Sequence, residues 1–218
     1  MRIRPLFAAA VFALSSLTIA GSATADVAGA QAFVEKEHGK IRKLVDANAP
    51  DEAITQSIDG MVDYDELAHR TLGKPCPATV VNCKNHWDEL SADQQKEVTG
   101  LLRKLVEKNY HKNLTKTREY DITYRGAKDQ GENLSKVRTE AKSKVKPRDP
   151  AVQVDYLIMA QNGGSYKVVD IVTEGSSMTK NYYDQFHRML TTAGQGYPYL
   201  VKKLNDKISQ PANAKASK

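Results

Sequence analysis

The order of apolar and polar positions divides the chain into a helical first half and a strand-rich second half. Between Ala28 and Ala49, Phe33, Val34, Ile41, Leu44 and Val45 recur at the spacing of one helix face, and Pro50 stops the pattern. Asp51 to Ser57 predicts a second, short helix with Ile54 and Ile58 turned inward. Asp63-Tyr64-Asp65-Glu66 opens a third as a capping box, and Gly73 supplies the left-handed residue that closes it. The clearest helix follows the capping box Ser91-Ala92-Asp93-Gln94. There Val98, Leu101, Leu102, Leu105 and Val106 fall on the i, i+3, i+4, i+7, i+8 template, to about Tyr110.

From Tyr120 the period changes from 3.6 to 2. Ile122 and Tyr124 begin a strand, and Asp129-Gln130-Gly131-Glu132 reads as a turn. Leu134 to Val145 then alternates: Val137, Thr139, Ala141, Ser143 and Val145 on one face, charged residues on the other. Such a strand belongs to an antiparallel sheet with one covered side. Val152 to Ala160 follows, with Val152, Val154, Tyr156 and Ile158 facing one way. Asn162-Gly163-Gly164 turns the chain, and Tyr166 to Thr173 returns. Ser176 or Ser177 caps a helix whose inward stripe is Met178, Tyr182, Phe186, Met189 and Leu190. Gly194-Gln195-Gly196 ends it, and Pro198 opens a last helix to about Ile208. The fold class is therefore α+β, with three or four antiparallel strands packed on helices.

The ends add a destination. Arg2 and Arg4, the 15-residue apolar run Leu6 to Ala20, and Ala23-Thr24-Ala25 have the order of a secretory signal peptide cleaved after Ala25. The run is shorter than the roughly 20 residues that span a bilayer. Residues 26–208 are then expected to form a single domain, and the small, polar stretch 209–218 a disordered tail. Loss of Arg2 and Arg4 with the leader lowers the net charge from +6 to +4, with basic and acidic residues interleaved. This balance argues against nucleic acid as a partner and allows transient contact with an anionic membrane surface. Cys76 and Cys83 are close in sequence in a chain read as exported, where a pair reads as a disulfide. A metal site would need more ligands than the lone neighbouring His86.

A search for catalytic constellations returns little. His38, His69, His86, His111 and His187 show no HxxxH or HExxH spacing, and the chain has no Gly-x-Ser-x-Gly elbow and no phosphate-binding loop. His38 falls near the apolar side of the first helix, as a packed core residue would. Asp155 and Asp170 lie on neighbouring strands, either as acids in a sheet-lined cavity or bonded to backbone amides. One pattern points the other way. The inward face from Val137 to Val145 is made of small side chains, so the space under it is either a void or filled by large helix residues.

Several segments in order resemble the MlaC/toluene-tolerance family. They are Asp63 to Ala68 with Thr71-Leu72-Gly73, then Trp87 and Leu90 to Gln94, then Val154-Asp155-Tyr156. The most specific part runs from Tyr166 to Ile171, through Glu174-Gly175-Ser176-Ser177, to Asn181-Tyr182 and Gln185-Phe186. The chain departs from the family's pattern between Lys74 and His86, where a cysteine-closed loop replaces a shorter passage. The resemblance implies a periplasmic phospholipid carrier moving lipid between an outer-membrane lipoprotein complex and an inner-membrane ABC transporter. It implies a nuclear-transport-factor or cystatin-like arrangement around an acyl-chain cavity, no catalysis, and no cofactor beyond the phospholipid cargo. The chains are expected between the face of Val137, Thr139, Ala141, Val154, Tyr156 and Ile158 and the helices carrying Leu101, Leu105, Tyr182 and Phe186. Two other readings stand beside this one: a small-substrate enzyme using a buried acid such as Asp170, and an interaction or chaperone module.

Overall fold

Helix α1 (Val27–Asp46) begins at Asp26, whose carboxylate accepts the N–H of Gly29 at 3.0 Å and so satisfies one of the unpaired donors of the first turn. The chain is described over residues 26–210 in a computed structural model, so the expected leader 1–25 and the tail beyond Gln210 lie outside the described residues. Val34, Ile41 and Val45 line the buried face of α1. Asn48, at φ 50°, reverses the chain before Pro50. Helix α2 (Asp51–Met61) runs one turn longer than its sequence pattern predicts, because Ile54, Ile58 and Met61 extend a single buried stripe.

At α3 (Tyr64–Thr71) only half of the expected capping box forms. Asp63 accepts the N–H of Glu66 at 2.9 Å, while the Glu66 carboxylate turns to Arg70 at 2.7 Å. The backbone N–H of Asp63 is already bonded to the carbonyl of Val168 at 3.0 Å, so a tertiary contact has taken the donor. The Ser91/Gln94 box forms in full, at 3.0 and 3.3 Å, and opens α4 (Ala92–Thr117). This helix continues about two turns past Tyr110.

Among the described residues five antiparallel strands follow in the order β1 (Tyr120–Gly131), β2 (Leu134–Ser143), β3 (Val152–Ala160), β4 (Tyr166–Thr173) and β5 (Ser176–Ser177). The fifth has two residues, too few to carry a periodic signal. The β1–β2 turn sits at Glu132-Asn133 rather than Asp129–Glu132: both residues have positive φ, 47° and 61°, as a two-residue hairpin matched to strand twist requires. Val145 lies beyond the end of β2 and is 63% exposed, so the expected inward face stops at Ser143. Helix α5 (Met178–Thr191) is capped by Ser177, and α6 (Gly196–Ser209) starts before Pro198 and includes Ser209, which the sequence had assigned to the tail. On α5 the buried residues are Thr179, Tyr183 and Phe186, with Tyr182 only half-buried.

Two apolar clusters result. The first joins Val34, Ile41 and Val45 of α1 and Ile54, Ile58 and Met61 of α2 to Val137, Ile158 and Val168 of the sheet. The second is helical, with Leu67 and Leu72 of α3, Val98, Leu101, Leu102 and Leu105 of α4, Phe186 of α5, and Leu200 and Leu204 of α6. Cys76 and Cys83 are bonded, closing the loop after α3. Tyr183 pins that loop: its hydroxyl accepts from the N–H of Lys84 at 2.9 Å and donates to the same residue's carbonyl at 3.2 Å. Gly73 lies beneath it at φ 85°, where a Cβ would stand 2.5 Å from the Lys84 carbonyl oxygen. Among the described residues no helix is long and apolar enough to cross a membrane.

Candidate functional site

The first cluster does not close. Between α1, α2, α4 and the inward sheet face lies a cavity of about 560 Å³, within the usual size of a small-molecule site (roughly 300–1,000 Å³). Helix α1 supplies His38, Ile41 and Arg42, α2 supplies Ile58 and Met61, and α4 supplies Val106 and Tyr110. The sheet contributes Tyr120, Ile122, Ala141, Val152, Tyr156, Val168 and Ile171, with Val62 at the end of α2. The register explains the gap. Ile122 on β1, Ala141 on β2 and Val152 on β3 stand in one row, and the side chain in its middle is a single methyl.

The wall is almost uncharged. His38 is hydrogen-bonded through Nδ1 to the Tyr124 hydroxyl at 3.0 Å, and its ring meets Tyr156 edge-on at 4.9 Å. Burial pushes the His38 imidazole down to about 4, so it is neutral near pH 7. Burial likewise raises Tyr110 to about 12 and Tyr156 further. Arg42 is the charged lining residue. Its guanidinium donates to the Tyr120 carbonyl at 3.1 Å and lies 3.8 Å from Asp46. Ile122, which both lines the cavity and is 38% exposed, marks the same rim.

Of the residues expected to line an acyl-chain cavity, Ala141 and Tyr156 are on this wall. Val137 and Ile158 share the inward face but are fully buried in the packed part of the first cluster. Thr139 is buried too, its hydroxyl donating to the Val154 carbonyl at 2.7 Å, and Val154 is half-buried and not part of the cavity lining. Leu101, Leu105 and Phe186 are in the second cluster, and Tyr182 borders a separate hollow. At the cavity the sheet faces α1 and α2, while α3 and α5 pack on β4; the Leu101 face of α4 turns toward α3 and α6. One turn further along, Val106 and Tyr110 of the same helix reach the cavity. The stripes of Ile41, Ile58 and Met61 had the same period as that of α4, and periodicity alone does not say which of three amphipathic helices meets the sheet.

The two acids lie on the opposite face of the sheet from Tyr156. Asp170 accepts from the N–H groups of Ile171 and Thr179 at 2.8 and 2.9 Å and from the Ser177 hydroxyl at 2.5 Å, which ties β4 to the start of α5. Asp155 accepts both bonds of the Gln153 amide and lies 3.8 Å from Arg138. Among the described residues no group of three or more His, Cys, Asp or Glu is placed to hold a metal ion.

No curated protein matches the chain at a significant level. A phospholipid-binding protein from Ralstonia solanacearum, solved in complex with a phospholipid, superimposes with a TM-score of 0.66 over 83% of this chain and 97% of its own, at 19% identity. At that identity the likeness is one of fold. The profile of the MlaC protein family matches residues 36–206, from the middle of α1 nearly to the end of α6. With the match running through the cavity's helices and every strand of its sheet, this chain is a member of the MlaC family.

Proposed function

We propose that this protein is a periplasmic phospholipid carrier, a single domain over residues 26–208 exported by the leader that ends at Ala25. It would shuttle lipid between an outer-membrane lipoprotein complex and an inner-membrane ABC transporter. The observation that carries the reading is the cavity: an apolar, nearly uncharged volume bounded by helices on one side and a sheet on the other, opening beside Arg42 and Ile122. The Ralstonia protein of the same fold, solved with a phospholipid, supports it.

The energetics suit the role. Two acyl chains of about fifteen methylenes each, at ~0.8 kcal/mol per methylene, represent about 24 kcal/mol of transfer from water. A lipid therefore crosses an aqueous gap only when its chains stay covered. Covering them needs no nucleophile and no general base, and the side-chain bonds of Asp170 within the protein fit a structural use of that acid. A binder alone only equilibrates, so direction has to come from differential affinity at the two membrane complexes. Organic extraction of protein purified from the periplasm, followed by mass spectrometry, is expected to release phospholipid in stoichiometric amount. Protein that carries no lipid, and takes none up from vesicles, would exclude the carrier role.

A further inference from the structure

Next to the apolar cavity lies a second hollow, of about 410 Å³ and mixed in character, where Thr173, Ser176, Gln185 and Lys207 meet the apolar Met178 and the Tyr182 ring. The two share one lining residue, Ile171 on β4. Thr173, Ser176, Asn181 and Gln185 of this hollow fall within Tyr166 to Phe186, the most specific part of the family resemblance, which also supplies Val168 and Ile171 to the apolar cavity.

Its one cation is unmatched. Lys207 is half-buried, with Nζ 2.8 Å from the Gln185 amide oxygen and 5.5 Å from the centroid of the Tyr182 ring. Among the described residues no carboxylate lies within ion-pair distance of it. The other natural counter-charge, the carbonyl end of α6, is taken by Lys108, which donates to the carbonyls of Lys207 and Ile208 at 2.7 Å and to that of Gln210. The amides around the hollow hold one another: Asn181 donates to the Ser176 hydroxyl at 2.8 Å, and Gln185 to the Asn181 carbonyl at 3.0 Å. Around this ammonium the wall is mixed, with neutral hydroxyls and amides beside Ile171, Met178 and the Tyr182 ring. Burial costs this ammonium hydration and lowers its pKa, a cost that an anion in the hollow would offset. Arg42, at the other edge of the apolar cavity, already has the Tyr120 carbonyl and Asp46 as partners.

We propose that the hollow around Lys207 is a binding site for a phosphate group. The assignment rests on the phospholipid reading above, and it places the phosphate of a lipid across Ile171 from its own chains. Lys207 supplies charge-assisted hydrogen bonds, and the hydroxyls of Thr173 and Ser176 supply neutral ones.

The test compares the lipid-stripped full chain with three variants, Lys207→Met, Lys207→Arg and Arg42→Met, each checked for folding by circular dichroism. Lys207→Gln replaces the methionine variant if that one does not fold. Calorimetry would measure dioctanoyl phosphatidylglycerol, dioctanoylglycerol and inorganic phosphate in turn. Lys207→Met is expected to weaken the phospholipid about tenfold, the loss of one charge-assisted bond. It should leave the diacylglycerol unchanged, and Lys207→Arg should restore the phospholipid. Inorganic phosphate that binds the wild type and not Lys207→Met, while both lipids bind the two alike, would keep the phosphate site but make its source a free anion. Phospholipid and phosphate affinities that do not respond to Lys207, or that fall in Arg42→Met instead, would overturn the assignment. If the wild type binds neither lipid, it is the carrier reading that fails, an outcome distinct from both.

Discussion

His38 carries the pH dependence of the cavity wall. Its imidazole is held at about 4 by burial against Tyr124 and Tyr156, while in the unfolded chain it titrates near 6.5. The unfolded state therefore takes up the proton first. His38's contribution is fully present above pH 6.5, is lost as pH falls toward 4, and changes no further below that. The displacement is worth about 3 kcal/mol at pH 4. Urea unfolding of lipid-free protein is expected to show that loss relative to His38→Gln between pH 7 and pH 4; parallel curves would mean that His38 titrates as it does in water. Ala141 tests volume in the same way. Ala141→Trp faces open space, so it is expected to lower the bound lipid-to-protein ratio at little cost in stability. Val137→Trp, on the same face where the packing is complete, should cost about 1–3 kcal/mol or more. Equal melting temperatures for the two would place the free volume elsewhere. The alternation of β2 revealed the small residues of this face, but it did not distinguish Ala141, beside a gap, from Thr139, which spends its hydroxyl on a neighbouring carbonyl.

Elements were legible where their signals are local. The Ser91/Gln94 box opens α4 because nothing else competes for its donors, whereas Asp63 lost half of its box to Val168, a partner more than a hundred residues away. The β1–β2 turn was misplaced for a related reason: Asp129 and Gly131 look like turn residues, but paired β1 continues to Gly131, and Glu132-Asn133 adopts the positive φ values. The disulfide belongs to this scale as well. It closes a loop so short that chain entropy accounts for about 2.5 kcal/mol, and Tyr183 holds the same loop independently through Lys84. Replacing both Cys76 and Cys83 by serine is accordingly expected to lower stability by about 2 kcal/mol and leave the circular dichroism spectrum unchanged. A variant that lost its helices would show that the loop organises α3 and α5 rather than decorating them.

At the scale of the whole molecule the division of labour lies between the two apolar clusters. Which face of which amphipathic helix meets the sheet is settled by packing between segments far apart in sequence. This is why the stripes of α1 and α2, and the turn of α4 with Val106 and Tyr110 rather than that with Leu101 and Leu105, were not singled out as cavity wall. In the helical cluster of α3–α6 Leu102 is fully buried, and Leu102→Ala there should cost roughly 2–5 kcal/mol. The cluster of α1, α2 and the sheet contains the cavity, so its walls lack contacts on one side unless something occupies it. A ligand that binds the folded state stabilises it by mass action, and the local effect falls on the elements it touches. Removal of bound lipid is therefore expected to raise amide hydrogen exchange in α1, in α2 and along the start of β1, and to leave the Leu101–Leu105 turns of α4 and the Leu200–Leu204 turns of α6 protected. Exchange mass spectrometry on loaded and stripped protein would measure this segment by segment. A uniform rise across both clusters would mean that they unfold as one unit; a rise confined to α5 and α6 would place the chains beside the second cluster.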